Sequence, residues 1–163
     1  MAPSEDPLRD SDSEKIIRDP IHGFVKLSEW EQRIVGHRVF QRLRRIRQLA
    51  LTEMVYPGAC HSRFEHSLGV MHVATMMFDR LRPQLEAAGE LGFSRNDLDR
   101  ARVIVRLAAL LHDVGHGPFS HSGEGLMPTN PVTGKRFKHE DYSAAMIRHL
   151  MSEVIDDDPS SPW

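Results

Sequence analysis

Between Leu110 and His121 the chain reads LLHDVGHGPFSH, three histidines, an aspartate and two glycines at the end of a greasy segment. The stretch before it, Val103–Leu111, holds a single charge, Arg106. Imidazole and carboxylate are donors that borderline and hard divalent metals accept. An unpaired Asp113 at the end of such a segment would cost several kcal/mol or be forced to take a proton, and a bound cation removes that cost. The ordinary alternative is that His112 bonds a backbone carbonyl and Asp113 caps a neighbouring helix. Two further clusters tilt the reading toward a site. HSRFEHSLGV places Arg63 and His66 at the start of another helix, and FKHE adds His139 and Glu140 at the start of a third.

The elements that must position these residues follow from periodicity. Ile17, Ile21, Phe24 and Leu27 surround a Pro-Ile-His-Gly turn, which reads as a short hairpin. From Glu31 to Ala50, Ile34, Val35, Val39, Leu43 and Ile46 recur at three- and four-residue steps, which predicts one amphipathic helix. A second helix is expected over about 65–81, beside Gly69, a glycine that permits close helix approach. A third starts at Ser94, with Asp97 completing a capping box, and runs through Leu111 buried on most sides. Gly115 suits its end, where a positive φ is often needed. A Gly/Pro-rich loop over 117–136 leads to a fourth helix over 138–155. The fold class is all-α with a short N-terminal β-hairpin. Residues 1–14 read as a disordered acidic tail, 15–155 as one domain, and 156–163 as a patternless tail.

Composition limits the rest. The 163 residues suffice for one domain with a sizeable core, and the net charge of −2 advertises no nucleic acid. The single cysteine, Cys60, excludes an intrachain disulfide and fits a reducing cytosol, so a cytoplasmic protein is expected. No stretch is apolar for long enough to make a membrane helix. Six arginines between Arg33 and Arg47 would admit a nucleic-acid surface, but no interleaved aromatics offer base stacking, and a solvated face or triphosphate contact is favoured. His22 reads as structural, His37, His72 and His149 as surface or satisfied core residues, and Met71, Met76 and Met77 as core filling.

RFEHSLGV followed by HDVGHGPFSH, with IRDPIHGFVKL, FQRLRRIRQL and KHEDYSAAMIRHL around them, resembles the HD-domain phosphohydrolases. Within that superfamily the set is most similar to the deoxynucleoside triphosphate triphosphohydrolases, the SAM-and-HD-domain enzymes among them. The similarity covers roughly residues 15–150. It implies a helical HD-domain bundle, here the N-terminal part of a larger helical domain. It implies a divalent cofactor held by His66, His112 and Asp113, with Mg, Mn, Fe, Zn, Co and Ni all admissible. It gives His121 the scissile phosphate or leaving 5′ oxygen, oriented by Glu124 where the family member compared has aspartate. His116 and His139 would meet the phosphates, Arg63 the substrate, and Gln48 and Leu49 the deoxyribose.

Those roles are physically coherent. A divalent metal lowers its water's pKa from 15.7 to about 7–9, and histidine's pKa of roughly 6.5 suits proton transfer near neutrality. The reaction implied is hydrolysis of a deoxynucleoside triphosphate to deoxynucleoside and triphosphate. The family's guanine-reading aspartate falls on Gly36, which argues against a guanine-nucleotide activator. Its last aspartate ligand has no counterpart in a matching block. Asp156, Asp157 and Asp158 read as a solvated acidic run, so the ligand is expected from a longer chain or from a partner, in a homo-oligomer for example. Two other readings compete with this one. A zinc peptidase built on HDVGH needs an uninterrupted helix, which Gly115 and Pro118 oppose. A catalytically weak nucleotide-binding HD domain, or another HD-domain phosphohydrolase, shares the metal chemistry.

Overall fold

The computed structural model describes residues 15–87 and 93–162, so the expected disordered tail over 1–14 lies outside the described residues. Two strands, β1 (Lys15–Asp19) and β2 (Gly23–Leu27), pair antiparallel from Lys15↔Leu27 to Asp19↔Gly23. The turn between them is closed by Asp19, whose Oδ1 accepts from the Ile21 and His22 amides at 2.9 and 2.8 Å. Gly23 supplies the positive φ, +78°, that the turn needs. The helical elements follow: α1 (Glu29–Gly36), α2 (Arg38–Gln41), α3 (Arg63–Ala87), α4 (Arg95–Leu111), α5 (His139–Leu150) and α6 (Ser152–Asp156).

The single helix expected over 31–50 is broken. His37 is extended, φ −63° and ψ 139°, and its ring caps α2, after which Arg42–Arg45 tighten into a 3-10 turn. The apolar stripe survives the break because the successive short elements all face one core, with Ile34, Phe40 and Leu43 fully buried. The fourth helix is likewise split, into α5 and α6, at Met151 (φ −120°, ψ −2°). Trp30 donates from Nε1 to the Val154 and Ile155 carbonyls at 3.1 and 3.2 Å and so seats α6 on α1.

Capping boxes start α1 (Ser28 with Glu31) and α4 (Ser94 with Asp97), the latter as expected from sequence. Each satisfies amide donors that a helix start leaves unpaired. Helices α3 and α4 pack antiparallel: Arg102 holds Asp79 at 2.6 Å, Arg82 holds Asp99 at 2.7 Å, and at the other end Arg63 meets Asp113. Arg106 fastens four elements together. It grips Glu31 through two hydrogen bonds (2.6 and 2.8 Å), donates to Thr75 Oγ1 at 2.7 Å, and reaches the Lys26 carbonyl at 3.0 Å.

Three further expectations are corrected. Helix α4 is not buried on most sides, since Ile104 is 56% exposed and inward contact comes mainly from Leu98, Leu110 and Leu111. Met71 fills the core, but Met76 and Met77 stand on the outer face of α3. Gly69 admits the His22 ring rather than a helix, because a Cβ there would lie 3.0 Å from His22 Nε2. The expected loop over 117–136 contains a 3-10 helix at Ser120–Leu126 and a bridge between Thr129 and Arg136. No helix among the described residues is long and apolar enough to cross a membrane.

Candidate metal centre and its histidine cluster

The HDVGH turn is where α4 ends, and three side chains from elsewhere fix its shape. Arg42 donates to the His116 carbonyl at 2.8 Å and to the Val114 carbonyl, covering acceptors that a helix end leaves unpaired. Ser143 of α5 accepts from the Gly115 amide at 2.8 Å and donates to the His112 carbonyl at 3.0 Å. Gly115 does not have the positive φ expected of it. It is glycine because α5 lies on it, and a Cβ would come within 2.2 Å of the Ser143 nitrogen.

On one side of this turn stand His66, His112 and Asp113, whose donor atoms all lie within 4.8 Å of one another. Asp113 is buried, with Oδ2 3.6 Å from His66 Nε2 and Oδ1 3.4 Å from His112 Nε2. His112 Nδ1 lies 2.8 Å from the Ala109 carbonyl, which can only accept, so Nδ1 carries the proton and Nε2 faces the carboxylate. Burial pushes the Asp113 carboxyl up, but its bond to His112 and the nearby His112 and Arg63 charges prevail and hold it well below the usual carboxylate range. Burial lowers the His66 pKa, and Asp113 raises that of His112. The group fits a divalent cation: two half-open imidazole nitrogens and an ionised carboxylate converge on one point.

Arg63 is 2% exposed and reaches Asp113 Oδ2 with one nitrogen and Ser120 Oγ with another. It is positioned by a short ribbon in which Arg47 bridges Ser62, the Gln48 amide donates to the His61 carbonyl (3.0 Å), and the Arg63 amide to that of Ile46 (2.8 Å). That ribbon also brings Gln48 and Leu49 toward the site. Gln48 Oε1 is buried with no hydrogen-bond partner among the described residues. Leu49 and Phe119 line one hollow of about 340 Å³ with Ser122 and Thr52.

On the other side lie His116, His121 and His139. His116 and His139 stack at 3.8 Å between centroids, and His121 meets them edge-on at 4.9 and 5.0 Å. Glu124 Oε1 accepts from His121 Nδ1 at 3.0 Å and from His139 Nδ1 at 2.5 Å, so one carboxylate orients two rings. The bond to His139 leads the causes that lower the Glu124 pKa. His116 is almost fully buried, and burial, followed by the Arg63 charge, pushes it down to about 4.

All ten residues assigned from sequence therefore gather around the α4–α5 junction and the start of α3. The acidic run does not join them. Asp158 instead pairs with Arg33 on α1 at 3.0 Å, and none of the three aspartates enters a metal-competent group among the described residues. Arg42 and Ser143 escaped sequence reading. A serine one turn into the fourth helix was the only signal for the latter, and nothing local marks Arg42 apart from its neighbours.

These features and the comparisons define one class. The HD domain model matches residues 63–156, and the chain belongs to the HD-domain phosphohydrolase superfamily. Among its relatives, the deoxynucleoside triphosphate triphosphohydrolase SAMHD1 homolog of Dictyostelium discoideum is 40% identical over 145 residues, covering 86% of this chain and 26% of that protein. The deoxynucleoside triphosphate triphosphohydrolase SAMHD1 of Homo sapiens is 41% identical over 141 residues, 86% of this chain and 21% of that protein. The chain thus spans about a quarter or less of these relatives' length. A crystal structure of a hypothetical protein from Aquifex aeolicus matches with a TM-score of 0.69 and 36% identity, over 90% of this chain and 34% of that one.

Proposed function

We propose that the chain carries the metal-binding part of the HD domain of a deoxynucleoside triphosphate triphosphohydrolase. The observation that carries this reading is the juxtaposition of two histidine groups across Asp113, one fit for a cation and one fit for a triphosphate. A divalent cation held by His66, His112 and Asp113 would supply Lewis-acid chemistry at the α-phosphate. His116 and His139 bind phosphate oxygens, and Arg63 places a fixed positive charge beside them. His121, held by Glu124, gives its proton to the 5′ oxygen as water adds to the α-phosphorus and the P–O5′ bond breaks. The products are deoxynucleoside and triphosphate. A sugar hydroxyl would satisfy the unpartnered Gln48 Oε1, and the Leu49–Phe119 hollow gives the deoxyribose an apolar wall.

The names of these relatives support the substrate class, and the three-donor His66–His112–Asp113 group supports a site completed by a further ligand. The fourth ligand comes from a longer form of this chain or from a second copy in an oligomer. A regulatory nucleotide-binding role is the second reading, favoured by Arg63 already pairing with Asp113. Incubation with each nucleoside triphosphate and Mg²⁺, Mn²⁺, Co²⁺ or Fe²⁺, with products resolved by ion exchange, decides between them. Triphosphate release is expected. Monophosphate plus pyrophosphate, or diphosphate plus phosphate, would move the attack elsewhere, and no products would favour the regulatory role.

A further inference from the structure

Among the described residues, two that are not glycine have a positive φ, Ala50 at +52° and Ser120 at +54°. Both flank the site: Ala50 follows Gln48 and Leu49, and Ser120 immediately precedes His121. Glycine enters this left-handed region freely, whereas a Cβ makes it costly. Such residues persist where their surroundings hold them, and they cluster at functional sites. At Ser120 the holding contact is visible. Its Oγ accepts from one terminal nitrogen of Arg63, and the other terminal nitrogen is bound to Asp113 Oδ2. Arg63 is buried and ion-paired, so it is the fixed partner and the loop is the one that is held.

Ser120 opens the 3-10 helix Ser120–Leu126, which carries both His121 and Glu124. Glu124 ties that segment to α5 through His139, and Ser120 ties it to Arg63 at the end next to His121. Two anchors fix the segment's orientation, whereas one would leave it free to pivot. The His121 side chain is 68% exposed and bonds Glu124 of its own segment, so its place depends on the segment's. We infer that Ser120 is a positioning residue for the reaction proposed above, its hydroxyl tethering the proton donor His121 to the Arg63–Asp113 pair. A glycine would hold the same backbone at lower cost, so the hydroxyl is what the position requires.

Histidine-ring cross-peaks in NMR spectra of the chain, together with a KM-against-kcat comparison, test this role. In Ser120→Gly the His121–His116 cross-peaks are expected to vanish while those between His116 and His139 persist. With deoxynucleoside triphosphate and Mn²⁺, kcat is expected to fall on the order of 10²-fold, the cost of a misplacement of about 1 Å. KM is expected to hold, because His116 and His139 still bind the phosphates before the bond breaks. Ser120→Ala should match those kinetics while unfolding at a lower temperature than Ser120→Gly, since it keeps the costly backbone. His121–His116 cross-peaks that persist in Ser120→Gly, or a kcat that stays at the unsubstituted value, overturn the role. The kinetic comparison rests on the proposed reaction and the spectra do not. Vanished cross-peaks in a chain that hydrolyses no nucleotide would sink the proposed function and leave Ser120 placing His121.

Discussion

Gly115 lies directly beneath the first turn of α5, so close that a Cβ on it would fall 2.3 Å from the His139 carbonyl oxygen. This contact is backbone on backbone, and it sets how near His139 comes to His116. The metal side and the histidine side of the site are therefore joined through a position with no side chain at all.

Gly115→Ala should push α5 off the HDVGH turn. Overpacking of this kind costs typically about 1–3 kcal/mol, and the obstruction here is backbone, which cannot swing aside. Thermal unfolding should show a clearly lowered midpoint, and an unchanged midpoint would mean that α5 is not held where the structure has it.

Asp113→Asn should abolish stoichiometric metal and turnover together, because among the described residues Asp113 is the carboxylate facing both histidine groups. It also leaves Arg63 without its counter-charge, so some loss of stability should accompany it. Elemental analysis showing full metal retention would contradict the assignment.

His121→Ala should leave the metal at His66, His112 and Asp113 in place while lowering turnover by roughly 10²–10⁴, the range for lost general acid–base catalysis. Glu124→Gln should reproduce part of that loss, since its carboxylate orients both His121 and His139. Unchanged kinetics in both variants would remove the pair from the mechanism.

His116 gives a pH signature in the metal-free chain. Its pKa is about 4 when folded, against 6.5 for the free side chain. Between those values the unfolded chain binds a proton that the folded chain refuses, so stability falls as pH drops through that window. Above about 6.5 the contribution is constant, and below about 4 the loss is complete. Urea midpoints across this range should fall less steeply for His116→Gln, and parallel profiles would exclude His116 as the source.

The all-α class with its N-terminal hairpin was legible in the sequence. Ten of the site residues occupy contiguous blocks whose side-chain chemistry is visible at once, and the structure brings those blocks to one junction. The hairpin turn and the Ser94 cap were legible because both are local devices, decided within a few residues. The break at His37 was not, because apolar steps of three and four persist when short helices share a face. Gly115 suggests backbone freedom in the sequence, whereas its reason is a neighbour in the chain's fourth predicted helix. Arg42 looked like one arginine of six until its partners, the Val114 and His116 carbonyls, were in place. Roles that depend on a distant partner leave no periodic trace.

The methionines of α3 divide sharply in what an oxidant can reach. Met76 and Met77 are 59% and 62% exposed, whereas Met71, on the same helix, and Met151 are fully buried. Dilute peroxide should convert the first pair to sulfoxides well before the second. That chemistry would paint a polar stripe on the outer face of α3 without loosening the interior. A peptide map after such treatment would then read the orientation of the helix directly, as a two-tone pattern of modified and spared sulfur.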